Sequence, residues 1–264
     1  MMSSIGWQKL NDLMIKCWIE NNAIQSNIRD LLHDAVIPGS IPVLWFGDID
    51  GYDKSETRVI TVGINPSKHE FGYVSKRTFN FNPILRIPIG MSPTPPNFTS
   101  YSQAMSQYFK NNPLMNWFWP NEIALNACDS TYGGKVIPYN DAAISNIGLH
   151  IDIVSPLATK PWGRLSSSEK YALTQRFNNV FVKLVEVLDP DILIFPIKLS
   201  TYFPEFKGIP LSSKIVPLKS RTYSVNKVTG NIGGKNRIVI EGWNGSTPFP
   251  FAKKSDIYSA IRKL

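Results

Sequence analysis

The stretch Arg58-Val59-Ile60-Thr61-Val62-Gly63-Ile64-Asn65-Pro66-Ser67 sets a short β-branched run directly against a turn. Val59–Val62 is apolar without alternation, which is how a strand buried on both faces reads. Gly63 permits a tight exit, Pro66 stiffens it, and Asn65 is left pointing away from the strand. An ordinary Asn-Pro turn would read the same way. Its meaning therefore depends on what the rest of the chain builds around it.

Three more segments repeat the pattern: Ile147–Asp152, Asp191–Phe195 and Arg237–Glu241, each breaking into a polar turn. Between them, residues 166–188 read as one long helix. Ser166 and Glu169 are spaced as a capping box, and Leu173, Phe177, Val180, Phe181, Leu184, Val185 and Leu188 form its buried stripe. Residues 4–33 read as one or two amphipathic helices, 100–110 as a helix, and a last short helix starts near Ser255. Residues 214–219 and 221–227 read as shorter, more exposed strands, and 231–236 as a Gly/Asn turn. Residues 80–97 contain five prolines and read as a long loop. The expected fold class is α/β: one domain with a central four-stranded, mostly parallel sheet flanked by helices on both faces. Residues 1–42 are expected to be a helical extension packed on a core domain of residues 43–264. Ligands of such sheets bind beyond the carboxyl ends of the strands.

Composition narrows the chemistry. The 264 residues are 43% hydrophobic and carry a formal charge of +8, which suits an acidic partner such as DNA or simply a soluble basic surface. Cys17 and Cys128 are too few for an iron–sulfur cluster or a four-cysteine zinc site, and they suggest no disulfide framework. His33, His69 and His150 are too scattered for an obvious metal site. No cofactor is expected. No apolar run reaches the length of a membrane span and no secretory signal is evident, so a cytoplasmic monomer that binds DNA and no membrane is expected. Gly-x-Ser-x-Gly, Gly-x-Gly-x-x-Gly, the phosphate loop and His-Glu-x-x-His are all missing.

The segment Gly63–Ser67 after a strand resembles the first motif of the uracil-DNA glycosylase superfamily, in particular its mismatch-specific branch, which carries Gly-Ile-Asn-Pro-Gly. Asn244-Gly245-Ser246, again after a strand, resembles the second motif, Asn/His-Pro-Ser. The resemblance covers roughly residues 43–264. It implies a DNA base glycosylase in which Asn65 orients and activates the attacking water, Asn244 contacts the flipped base, and Ser246 grips the DNA backbone. Gly245 departs from the usual proline. Asp152 stands where many members place an asparagine that reads the base edge.

Around these motifs Gly63, Ile64, Asp152 and Asn244 are expected to bind the base, and Phe79 or Phe81 to stack on it, with a core role an equal alternative for the two phenylalanines. Ser67, Lys68, Lys160, Arg164 and Ser246 are expected to hold DNA. Phe249 and Phe251 are candidate wedges for the vacated space, with core packing again an equal rival. An ionised aspartate can only accept hydrogen bonds, so Asp152 facing a base would favour the exocyclic amine of a cytosine over a uracil carbonyl. Plain cytosine would destroy the host genome. A hydroxymethylated or glucosylated cytosine of phage DNA, hence an antiviral role, is the expected substrate, and the loop at 80–97 a place for the extra group. A uracil or mismatch repair glycosylase and a catalytically silent DNA-binding module remain the alternatives.

Overall fold

The computed structural model describes residues 2–71, 86–87, 89–139, 144–217, 222–242 and 254–264. At the amino end Ser3 accepts a hydrogen bond from Gly6 N and caps α1 (Ser4–Ser26), whose buried stripe runs through Leu10, Leu13, Met14, Cys17, Trp18 and Ile24. That stripe belongs to the same buried cluster as the strand residues Val59, Ile60 and Leu193, so the amino-terminal helix packs into the common core. A short helix α2 (Ile49–Asp53), capped by Asp48, leads into β1 (Val59–Gly63), all five of whose residues are buried.

Next come α3 (Phe98–Ser106) and α4 (Tyr108–Asn111), which split the helix expected at 100–110, and α5 (Met115–Asn126), which sequence reading did not find. Two small strands, β2 (Ser130–Thr131) and β3 (Asn146–Ile147), pair with each other, and β4 (Leu149–Asp152) pairs with β1. The single strand expected at 147–152 is thus divided at Gly148, whose N–H bonds to Thr131 O at 2.8 Å. The long helix expected at 166–188 is likewise two helices, α6 (Ser167–Phe177) and α7 (Val180–Leu188). Its capping box, Ser166 with Glu169, is present. The break falls at Asn178-Asn179, a residue type whose side chain competes with helical backbone bonding.

The remaining elements are β5 (Ile192–Phe195), β6 (Ile209–Pro217), β7 (Thr222–Ile232), β8 (Lys235–Glu241) and α8 (Lys254–Arg262). Among the described residues the main sheet has six strands in the order β4-β1-β5-β8-β7-β6. The four expected apolar strands are parallel neighbours, but the four-stranded sheet is a correction to make. β7 and β6 continue it antiparallel, so the sheet is mixed. The turn from β7 to β8 at Gly233-Gly234 has φ of +64° and +79°, a hairpin geometry that favours glycine and closes β7 onto β8. α7 packs on α1 and β7, and α5 packs on α8 and β1. No helix among the described residues is long and apolar enough to cross a membrane.

Candidate active site

β1 and β4 end side by side, with Gly63 paired to Asp152. The pairing continues past the strand ends, because Ile153 N donates to Gly63 O and Val154 N to Ile64 O, both at 3.0 Å. Ile64-Asn65 and Asp152–Val154 are therefore held beside each other. Above them lies a cavity of about 230 Å³ lined by Ile64, Asn65, Ser67, Lys68, Asp152 and Lys160, among others.

Asn65 is fixed by its amide nitrogen. Nδ2 donates to Pro66 O at 3.1 Å and to Thr159 Oγ1 at 3.0 Å, and Thr159 Oγ1 in turn donates to Lys160 O at 2.7 Å. Both N–H bonds point at acceptors, which orients the amide at the cavity wall and leaves Oδ1 as the atom able to accept. Such an oxygen can hold a water by accepting one of its hydrogens.

The floor is a buried polar row. His150 Nδ1 lies 2.8 Å from Thr61 Oγ1, Thr61 is hydrogen-bonded to the Tyr132 hydroxyl, and His150 Nε2 lies 3.7 Å from Asp152 Oδ1. Burial pushes the Asp152 carboxyl above its ordinary range, and the facing His150 pulls it back down. The opposite side holds Glu70, buried in the short 3-10 turn Lys68–Phe71, with Oε2 accepting from the Tyr108 hydroxyl at 2.7 Å. Burial pushes Glu70 up to about 7, the Tyr108 hydrogen bond and Arg86 opposing it. Arg86 itself is pinned, donating to His69 O, Asn112 O and Pro113 O.

Aromatic walls close the site. Phe118 meets the His150 ring edge-on with centroids 5.0 Å apart, and Phe46 lies 6.0 Å from the same ring. Exposed Trp117 and half-buried Trp162 stand at the rim. An adjoining groove is lined by Lys68, Lys160 and Arg164 with His33 and one carboxylate, Asp34, so the mouth carries a net positive charge.

The structure thus brings together Ile64, Asn65, Ser67, Lys68, Asp152 and Lys160, places Gly63 beneath them, and sets Arg164 in the adjoining groove. Ser67 Oγ accepts from His69 N at 3.2 Å. Phe79, Phe81, Asn244, Ser246, Phe249 and Phe251 lie outside the described residues. Of the loop expected at 80–97, Ser92 and Pro93 are tied to α1, since Trp18 Nε1 donates to Ser92 O at 2.7 Å and Asn22 Nδ2 to Pro93 O at 2.9 Å. Residues 80–85 and 88 lie outside the described residues.

Sequence reasoning missed Glu70, His150, Phe46, Trp117 and Phe118. His150 had a signal, because it sits two residues before Asp152 and strand side chains repeat every second residue. The others carried none, coming from loops and from α5. Among the described residues no group of three or more His, Cys, Asp or Glu side chains could hold a metal ion. Comparison with models of known families and with curated protein sequences finds no match for this chain.

Proposed function

We propose that the protein is a monofunctional DNA base glycosylase that accepts a flipped, modified cytosine and hydrolyses its glycosidic bond. The observation that carries this reading is that the Asn65 amide and the Asp152 carboxyl open onto one aromatic-walled cavity at neighbouring strand ends, under a basic mouth.

Turning a base out of the helix costs a few kcal/mol of stacking and pairing. Lys160 and Arg164 offset that cost by holding phosphates, and Trp117 or Trp162 offers a face on which the base stacks. As the C1′–N bond breaks, its electron pair goes to the base and positive charge grows on the sugar. Water held on Asn65 Oδ1 adds its oxygen to C1′. An amide is a poor proton acceptor, whereas Glu70, with a carboxyl near neutrality, accepts the water's proton. The departing base anion takes up a proton from solvent, and the products are the free base and an abasic site, with the strand intact.

Asp152 reads the base. A carboxyl oxygen accepts from the exocyclic amine of a cytosine, and the charged form, which the facing His150 favours against burial, repels the carbonyl oxygen of a uracil. Because unmodified cytosine is the host's own base, the substrate is a hydroxymethylated or glucosylated cytosine of viral DNA, and the role is defence.

Viral DNAs of known base composition, incubated with the purified protein and probed for abasic sites, test this reading. Product is expected only from DNA with modified cytosine, and none with Asn65→Ala. Efficient release of uracil with modified cytosines ignored would make it a repair enzyme, and tight binding with no product from any DNA would make it a silent binding module.

A further inference from the structure

On the same edge of the sheet as the cavity stands a two-stranded ribbon. Among the described residues β7 pairs with β8 up to Asn226 opposite Glu241, and Thr222–Val225 continue with β6 alone. Because β7 runs antiparallel, that overhang leaves the sheet at the carboxyl ends of the parallel strands. The registers Glu241–Phe195, Ile194–Thr61 and Gly63–Asp152 put all these ends at one level. At roughly 3.4 Å per residue, four residues reach about 13 Å past the sheet.

The two faces of this ribbon differ. One is packed: Val216 and Val225 are buried, α8 lies against β6, and Ser212 Oγ donates to Leu264 O at 3.0 Å. The other is open. It shows Ile215 at 71% exposure and shares with exposed Lys198 a cleft lined by Ser200, Ser213, Ser224 and Asn226. The one carboxylate lining it among the described residues, Glu241, is buried and accepts from Leu199 N at 2.6 Å. Beside Ile215 the cleft is also lined by exposed Leu211, by Pro210 and by Phe206, and its hydroxyls, amide and ammonium are groups that contact phosphates and sugars.

We propose that the open face of the β6–β7 ribbon is a second DNA-contacting surface, which holds the duplex to one side of the flipped nucleotide. The proposal rests on the glycosylase reading for where the flipped nucleotide sits. Strand spacing sets the distance: β7 lies three strands from β1 and four from β4. At about 4.8 Å each, that is roughly 14–19 Å, or four to six nucleotides at about 3.4 Å per step. A rigid arm at that distance enters or straddles a groove, as β-ribbon readers do.

The test measures affinity and excision on two duplexes, one extending ten base pairs on each side of the target and one ending three base pairs from it. Ile215→Lys is expected to tighten binding to the long duplex about tenfold and Ile215→Asp to weaken it similarly, with the salt dependence steepened and flattened by about one phosphate contact. Neither variant should change binding or excision on the short duplex. Circular dichroism confirms the fold of each, and at so exposed a position neither should lose it. Long-duplex affinities equal to wild type for both variants would overturn the proposal, as would equal changes on both duplexes or a change in mass on sizing in place of DNA affinity. Length-dependent binding without any abasic product would overturn the glycosylase reading and leave the ribbon assignment standing.

Discussion

A Cβ added to Gly63 would stand 2.3 Å from Asp152 Oδ1 and 2.8 Å from His150 Nε2. The two strand ends are that close because the Asp152 carboxyl lies over the backbone of the motif loop. The requirement for glycine here is space. Gly63→Ala should force Asp152 and His150 out of the cavity floor, costing about 1–3 kcal/mol and lowering abasic-site formation about a hundredfold. Thermal melting and single-turnover excision measure the two effects.

Asp152 decides the base in this account. Asp152→Asn supplies a donor where the wild type offers an acceptor, so release of modified cytosine should fall by at least about tenfold, the worth of one mispaired hydrogen bond. Uracil release should appear. An Asp152→Asn enzyme with unchanged preference between the two bases would remove Asp152 from base reading.

On the proposed mechanism Glu70 links activity to stability. Its folded carboxyl titrates at about 7, against about 4.3 in an unfolded chain. Between those values the folded protein binds more protons than the unfolded one, so stability falls as pH rises through this window and is level above it. The total is on the order of 4 kcal/mol at most. Glu70→Gln should therefore melt higher than wild type at pH 8 and about equally at pH 4. Excision by the wild type should rise through pH 7, and the variant should lose that limb together with most of its rate.

The opposite end of the sheet is structural. Asp189, left-handed at φ 47°, accepts from Arg58, Lys235 and the buried Arg237 at 2.8–2.9 Å, and these partners hold its carboxyl well below the usual range. Asp189→Asn keeps a residue that tolerates the left-handed backbone but leaves Arg237 short of its counter-charge. A loss of about 1–3 kcal/mol in melting experiments is expected, with excision at 25 °C unchanged.

Much of this arrangement was legible in the sequence. Buried parallel strands write themselves as apolar runs, so Val59–Val62, Ile192–Phe195 and Ile238–Ile240 stood out, and the strand-exit rule placed Asn65 and Asp152 at one edge. The β6–β7 hairpin was visible only as exposed strands, because an edge pair packed on one side carries Ile209, Leu211 and Ile215 outward and hides its membership of the sheet. Glu70 and Tyr108 were not legible. Their meeting depends on how residues 68–71 fold against α4, and no local pattern encodes it.

The most direct measurement uses a duplex with a single glucosylated hydroxymethylcytosine and reads two products from one reaction: the free base by mass spectrometry and the alkali-labile abasic strand. Equal amounts of both are expected, with no strand break before alkali and neither product from Asn65→Ala, which should still bind the duplex. Undamaged DNA after prolonged incubation, or strand cleavage without released base, would contradict it.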